Sequence, residues 1–178
     1  MKGIVQFAMK IEPRCYKCRL PNGKVVDILS DVMVEISQWL QFDKSHPESG
    51  GYILGYQHGT TNNITLEFVT TPQKRDIRNR IKCVLRDFIH FKIINSARKN
   101  KSYYMGVWHT HPQTVPIPSN TDIQDWNSSL NAEKTGCEYI FFLIAGIEDV
   151  RIWVGDFTTK NIIEIFEKSM KEGIYVKE

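Results

Sequence analysis

The stretch Tyr103-Tyr104-Met105-Gly106-Val107-Trp108-His109-Thr110-His111-Pro112 constrains this chain more than any other. Its aromatic and branched residues favour a buried strand. Successive side chains of a strand alternate faces, so His109 and His111 point the same way, while Trp108 turns to the opposite side as core. Pro112 lacks the N–H that a ladder needs and ends the strand. A proline-rich loop, residues 113–118, leads to Ser119-Asn120-Thr121-Asp122. Two imidazoles and a carboxylate, held at a strand end and a nearby helix start, form a three-ligand set suited to zinc.

Around this strand the pattern predicts further elements in order. Strands are expected over Gly3–Ile11 and Lys24–Ile28, with turn chemistry at Pro21-Asn22-Gly23. Ser30 is the expected N-cap of a helix reaching about Phe42, with Val32, Ile36, Trp39 and Leu40 on its core face. A strand follows Gly51, His58–Asn63 form a hairpin connection, and Ile64–Thr70 are the partner strand. Thr71–Arg75 read as a loop and Asp76 to about Lys99 as one long helix. Its apolar stripe is Ile77, Ile81, Val84, Leu85, Phe88 and Phe91, with His90 a partly exposed polar position. A helix is expected from Asp122 to about Asn131, with Ile123, Trp126 and Leu130 on one face. Cys137–Ala145 is the most apolar segment and reads as a buried strand. Arg151–Phe157 and Asn161–Phe166 form a hairpin through residues 158–160. Hairpins mixed with crossovers point to an α/β (α+β) fold, a mixed central β-sheet flanked by helices, in a single domain over residues 1–178.

Composition narrows the functional classes. With 42% hydrophobic residues in 178, the chain can bury a sizeable core. A formal charge of +3 with scattered lysines and arginines gives no nucleic-acid footprint. The most basic patch, Arg75, Arg78, Arg80 and Lys82, reads as a solvated helix start. No run is long enough to span a membrane, and Gly3–Met9 is too short and mixed for a signal sequence. The expectation is a cytoplasmic protein whose Cys15, Cys18, Cys83 and Cys137 are thiols. Cys15-x-x-Cys18 has no second half at zinc-ribbon spacing and reads as a hairpin with incidental cysteines.

Each part of the site has a bland reading by itself. Ser119-x-x-Asp122 has the spacing of a capping box, with Asp in place of the usual Glu or Gln. Glu48, just before Gly50-Gly51, is an ordinary loop glutamate unless something downstream recruits it. The combination is more specific: Glu48, then His109-x-His111-Pro112, six residues, Ser119-x-x-Asp122. It resembles the signature of the JAB/MPN (JAMM) metalloprotease family over about Pro47 to Phe157.

The resemblance implies a cytidine-deaminase-like α/β domain with zinc held by His109, His111 and Asp122. It implies Glu48 as general base and Ser119 as hydrogen-bond donor to the developing oxyanion. An Asp122 that ligates metal is expected to be less free to close the capping box, which makes Ser119 more catalytic than structural. Family members cleave after the C-terminal tail of ubiquitin, a ubiquitin-like protein or another conjugated protein. The chain is similar to stand-alone bacterial members, some of them encoded with E1/E2-like enzymes in antiphage operons of the CBASS type. Other readings are a peptidase acting on a small peptide or sulfur-carrier fusion, and a metal-free MPN interaction scaffold. The DNA-repair-associated branch would need a nucleic-acid-binding region, which the sequence does not display.

Overall fold

A computed structural model describes residues 11–171 and 174–177. Its centre is an eight-stranded sheet. The strands are β1 (Tyr16–Arg19), β2 (Val25–Ile28), β3 (Gly50–Gln57), β4 (Ile64–Val69), β7 (Tyr103–Thr110), β8 (Tyr139–Ala145), β9 (Val150–Asp156) and β10 (Ile162–Ile165). They lie in the order β1-β2-β4-β3-β7-β8-β9-β10. β2 runs parallel to β4 and β7 parallel to β8; the other neighbours are antiparallel. Two short pairs stand outside the sheet: β5 (Ile77–Asn79) with β6 (Lys82–Val84), and β11 (Lys168–Lys171) with β12 (Ile174–Lys177). The helices are α1 (Ser30–Ser37), α2 (Ile89–Lys99) and α3 (Asn120–Ala132). This is the expected mixed sheet with flanking helices. Among the described residues no helix is long and apolar enough to cross a membrane.

β8 shows why a continuous apolar run makes a central strand. Tyr139, Phe141, Leu143 and Ala145 join one hydrophobic cluster, which includes Val32 and Ile36 of α1. Ile140, Phe142 and Ile144 join a second, with Trp126 and Leu130 of α3. A strand covered on both faces needs apolar residues at every position. The same alternation runs along β7: Trp108 is in the α1-side cluster and Val107 packs on the α3 side. His109 therefore belongs to the face that α3 covers.

Gly51 has a specific steric role in β3. A Cβ there would sit 1.9 Å from the Thr70 carbonyl oxygen. Its absence lets that oxygen come close enough to accept a hydrogen bond from Trp108 Nε1 at 2.9 Å, deep in the core. At Gly106 the φ is +153° and the β3–β7 register shifts alongside it, between Ile53 and Leu54.

Several expected elements differ. The Gly3–Ile11 strand lies, except for Ile11, outside the described residues; the Pro21-Asn22-Gly23 turn joins Tyr16–Arg19 to Val25–Ile28 instead. Cys15 is exposed while Cys18 of β1 is buried in the core, where burial lifts its thiol pKa to about 12. The first helix ends at Ser37 rather than Phe42, and its N-cap is Leu29, not Ser30.

The largest correction concerns the long helix over Asp76–Lys99. Only Ile89–Lys99 is helical; Ile77–Val84 form the β5–β6 hairpin. The supposed core stripe is largely exposed: Ile77 45%, Ile81 81%, Phe88 47% and Phe91 55%. His90, in contrast, is fully buried. It pairs through Nε2 with Asp76 Oδ2 at 2.8 Å and through Nδ1 with Thr70 Oγ1 at 2.8 Å. Asp76 also accepts from the N–H groups of Gln73, Arg86 and Asp87, so one carboxylate closes the root of the hairpin. A helix could not form through residues whose backbone donors are engaged this way.

The Asp76 carboxylate also links stability to pH. Burial opposes its charge, but hydrogen bonds from Gln73 N–H, His90 and Asp87 N–H outweigh that and lower its pKa. A folded pKa below the unfolded value of about 3.9 stabilises fully above that value and is lost as pH falls through the folded one. Asp76→Asn is expected to cost about 3 kcal/mol at pH 7 in urea unfolding. The gap from wild type should narrow below about pH 4. An equal gap at both ends of that range would show that the charge is not what matters.

Candidate metal centre

Three segments converge at the end of β7. The antiparallel register sets Gly50 opposite His109 and Gly51 opposite Trp108. Glu48, just upstream of β3, is thereby drawn beside the histidines. Thr110 locks this arrangement from behind. Its N–H donates to Ser49 O at 2.9 Å, and its Oγ1 accepts from Ser49 N at 2.9 Å. The same hydroxyl donates to Gln41 Oε1 at 3.0 Å. Gln41 and Thr110 are fully buried, so this polar network is shielded from water and satisfied internally.

His109 Nε2 and His111 Nε2 lie 3.1 Å apart. Asp122 presents Oδ1 at 3.2 Å from His109 Nε2 and Oδ2 at 3.4 Å from His111 Nε2. Glu48 Oε1 stands 3.5 Å from His111 Nε2. His111 Nδ1 faces the Ile117 carbonyl oxygen at 3.0 Å. A carbonyl can only accept, so the proton of a neutral His111 sits on Nδ1 and the Nε2 lone pair faces the centre.

These separations suit a metal. Tetrahedral zinc with bonds of about 2.0–2.1 Å holds neighbouring ligand atoms about 3.3 Å apart. The two imidazole nitrogens and the Asp122 oxygens match that spacing. The donor atoms of Glu48, His109 and His111 also fall within 4.8 Å of one another, so distance alone permits a second ligand set. Asp122 faces both imidazoles in this distance range, whereas Glu48 approaches only His111.

The charges respond to this crowding. Burial alone would raise Asp122, but hydrogen bonds from His109 and His111 hold it well below the usual carboxylate range. Burial pulls His111 down, and its hydrogen bond to Asp122 with the charges of Asp122 and Glu48 lifts it above the ordinary value. Glu48 is raised by burial, against the pull of the two histidines.

Ser119 and Asp122 also act together at the start of α3. The capping box is closed: Ser119 Oγ accepts from Asp122 N at 3.1 Å, and Asp122 Oδ2 accepts from Ser119 N at 2.6 Å. The Ser119 hydroxyl also donates to Oδ2 at 2.7 Å. One carboxylate thus caps α3 while facing both imidazoles.

A groove of about 1180 Å³ passes the centre. Arg80, Lys82 and Cys83 of the β5–β6 hairpin line it, and Asp125 and Ser129 of α3 line it together with Glu133 just past the helix end. Sequence reasoning missed the hairpin's part here, since it assigned Arg75, Arg78, Arg80 and Lys82 to a solvated helix start. A usable signal was Asp87, whose Oδ1 accepts from Ile89 N at 3.0 Å and marks where the helix begins.

Residues 30–155 match the family described as prokaryotic homologs of the JAB domain. A protein of Escherichia coli named CD-NTase/cGAS isopeptidase is 30% identical over 148 residues, covering 82% of this chain and 89% of that protein. A Vibrio cholerae protein of the same name is 29% identical over 171 residues, 94% of this chain and 98% of its own length. A Desulfitobacterium hafniense protein known from its solution structure shares the fold, with TM-score 0.52 and 17% identity over 79% of this chain and 88% of that one.

Ser119→Ala tests how much of the centre's geometry rests on the cap. The variant is expected to lose about 1 kcal/mol in thermal or urea unfolding. An unchanged stability would mean that the Ser119 N–H alone anchors Asp122.

Proposed function

Because the chain belongs to the prokaryotic JAB family, we propose that it is a zinc-dependent isopeptidase. Its substrate is a protein conjugated through its C-terminal tail. The observation that carries this reading is the 3.1 Å approach of His109 Nε2 to His111 Nε2, with Asp122 oxygens at 3.2 and 3.4 Å. His109, His111 and Asp122 would hold the metal. When bound there, zinc would supply a water acidified to a pKa of about 7 and an electrophile for the scissile carbonyl.

The chain's own groups do the rest. Glu48, at the rim of the centre and partly desolvated, takes the proton of the attacking water on its carboxylate and returns it to the leaving amine. The Ile117 carbonyl keeps the His111 proton on Nδ1 and so keeps Nε2 available. Ser119 donates a hydrogen bond from its hydroxyl to the developing oxyanion. It does so by releasing Asp122 Oδ2, which the Ser119 N–H continues to hold. The groove suits an extended tail leading to the centre.

The names of the relatives support a CD-NTase conjugate as the substrate. An E1/E2-like enzyme system would make that conjugate, in antiphage defence within the cytoplasm, and this protein would reverse it.

Elemental analysis of purified protein is expected to find about one zinc per chain, lost in His109→Ala and after chelation. Glu48→Gln should keep zinc and lose turnover by more than about a hundredfold on a CD-NTase fused through its C-terminus to a reporter protein. Loss of both, or of neither, would remove Glu48 from the role of base. Equal cleavage of the fusion and of the tail peptide alone would point to a small-peptide substrate instead.

A further inference from the structure

Glu48 has no regular secondary structure of its own, yet both peptide units flanking its Cα are fixed. Its N–H donates to Asn79 O at 2.7 Å. Its carbonyl oxygen accepts from Arg78 Nε at 2.8 Å, and Arg78 Nη2 donates to Ser49 Oγ at 2.5 Å. Arg78 and Asn79 are neighbours in β5, so one short strand grips Glu48 from both sides. The guanidinium is half-buried and lies over the Trp39 ring, 5.3 Å from its centroid, a contact that restrains the planar group. Gln41, which holds Thr110 behind the histidines, also reaches toward the hairpin through Arg80 O at 3.5 Å.

We propose that Arg78 is the positioning residue for Glu48, fixing its peptide so that the carboxylate meets the His109–His111 centre. The proposal rests on the reading of Glu48 as general base. Arg78 touches backbone and the Ser49 hydroxyl rather than the reacting atoms, so its contribution lies in aim. Lysine cannot replace it: a single ammonium cannot span Glu48 O and Ser49 Oγ with the geometry of a planar fork. The hairpin that supplies Arg78 also lines the groove, which ties the setting of the base to the wall that a substrate would touch.

The test uses the full-length, zinc-loaded protein and the CD-NTase–reporter fusion as probe. Arg78→Met is expected to lower kcat by about tenfold to a hundredfold, the scale of a misplacement of about 1 Å. KM should change by less than about threefold, because substrate binding is not what is lost. Zinc should stay near one per chain, and Arg78→Lys should fall between the two.

Hydrogen exchange gives a readout independent of turnover. The Glu48 amide should exchange faster in Arg78→Met while amides of β7 stay protected. A wild-type kcat, unchanged exchange at Glu48, or a loss confined to KM would overturn the proposal. Should Arg78→Met lose zinc and exchange globally, Arg78→Lys decides, and wild-type kcat in that variant overturns the proposal. Zinc-loaded wild-type protein that leaves the fusion intact overturns the underlying reading of the site, and this proposal with it.

Discussion

The antiparallel ladder between β3 and β7 is the contact on which the rest of the centre depends. It places Gly50 against His109 and so brings the residues just before β3 to the end of the histidine strand. A slip of one residue would turn His109 into the α1-side core and Trp108 into the centre, because strand side chains alternate. Three features prevent the slip. Trp108 is anchored to Thr70 O through its indole N–H, Gly51 leaves room for that carbonyl, and Thr110 bonds Ser49 through both its backbone and its side chain. The apolar core on one face of β7 thereby sets the polar geometry on the other.

Asp122 extends the same logic to α3. The start of a helix needs an acceptor for its free N–H groups and favours negative charge. Asp122 answers that need from inside the first turn, with Ser119 as the reciprocal cap. A proton or cation held between two imidazole nitrogens 3.1 Å apart is stabilised by a nearby negative charge. A single carboxylate meets both demands because Oδ2 serves the cap while Oδ1 is left to His109. The orientation of the Asp122 carboxylate is thus set by the N–H and hydroxyl of Ser119 as well as by the imidazoles. That is a form of preorganisation, since Ser119 holds the carboxylate before any ligand arrives.

Legibility in the sequence followed the range of the interactions. β7, β8 and the β9–β10 hairpin were readable because alternation and continuous apolarity are local consequences of burial on one or two faces. The convergence of Glu48, His109, His111 and Asp122 was readable only as a combined motif, since each residue alone has an ordinary explanation. The stretch from Asp76 to Phe88 misled because Ile77, Ile81, Val84, Leu85 and Phe88 recur at helical intervals. In the fold, Asp76 takes the backbone donors of residues 73, 86 and 87 and pairs with His90, so the segment closes into a hairpin. No local pattern announces a partner fourteen residues away in the chain.

The sequence by itself determined the central strands, the side of β7 on which the histidines lie, and the chemistry of the donor set. Those follow from side-chain period and ligand type. Only the tertiary structure decided that residues 77–84 wall the groove, that Arg78 and Asn79 grip Glu48, and that one Asp122 carboxylate both caps α3 and faces two imidazoles. These arrangements depend on contacts between segments far apart in the chain. Many of their partners are backbone N–H and C=O groups, which almost every residue type carries and which side-chain pattern therefore does not reveal.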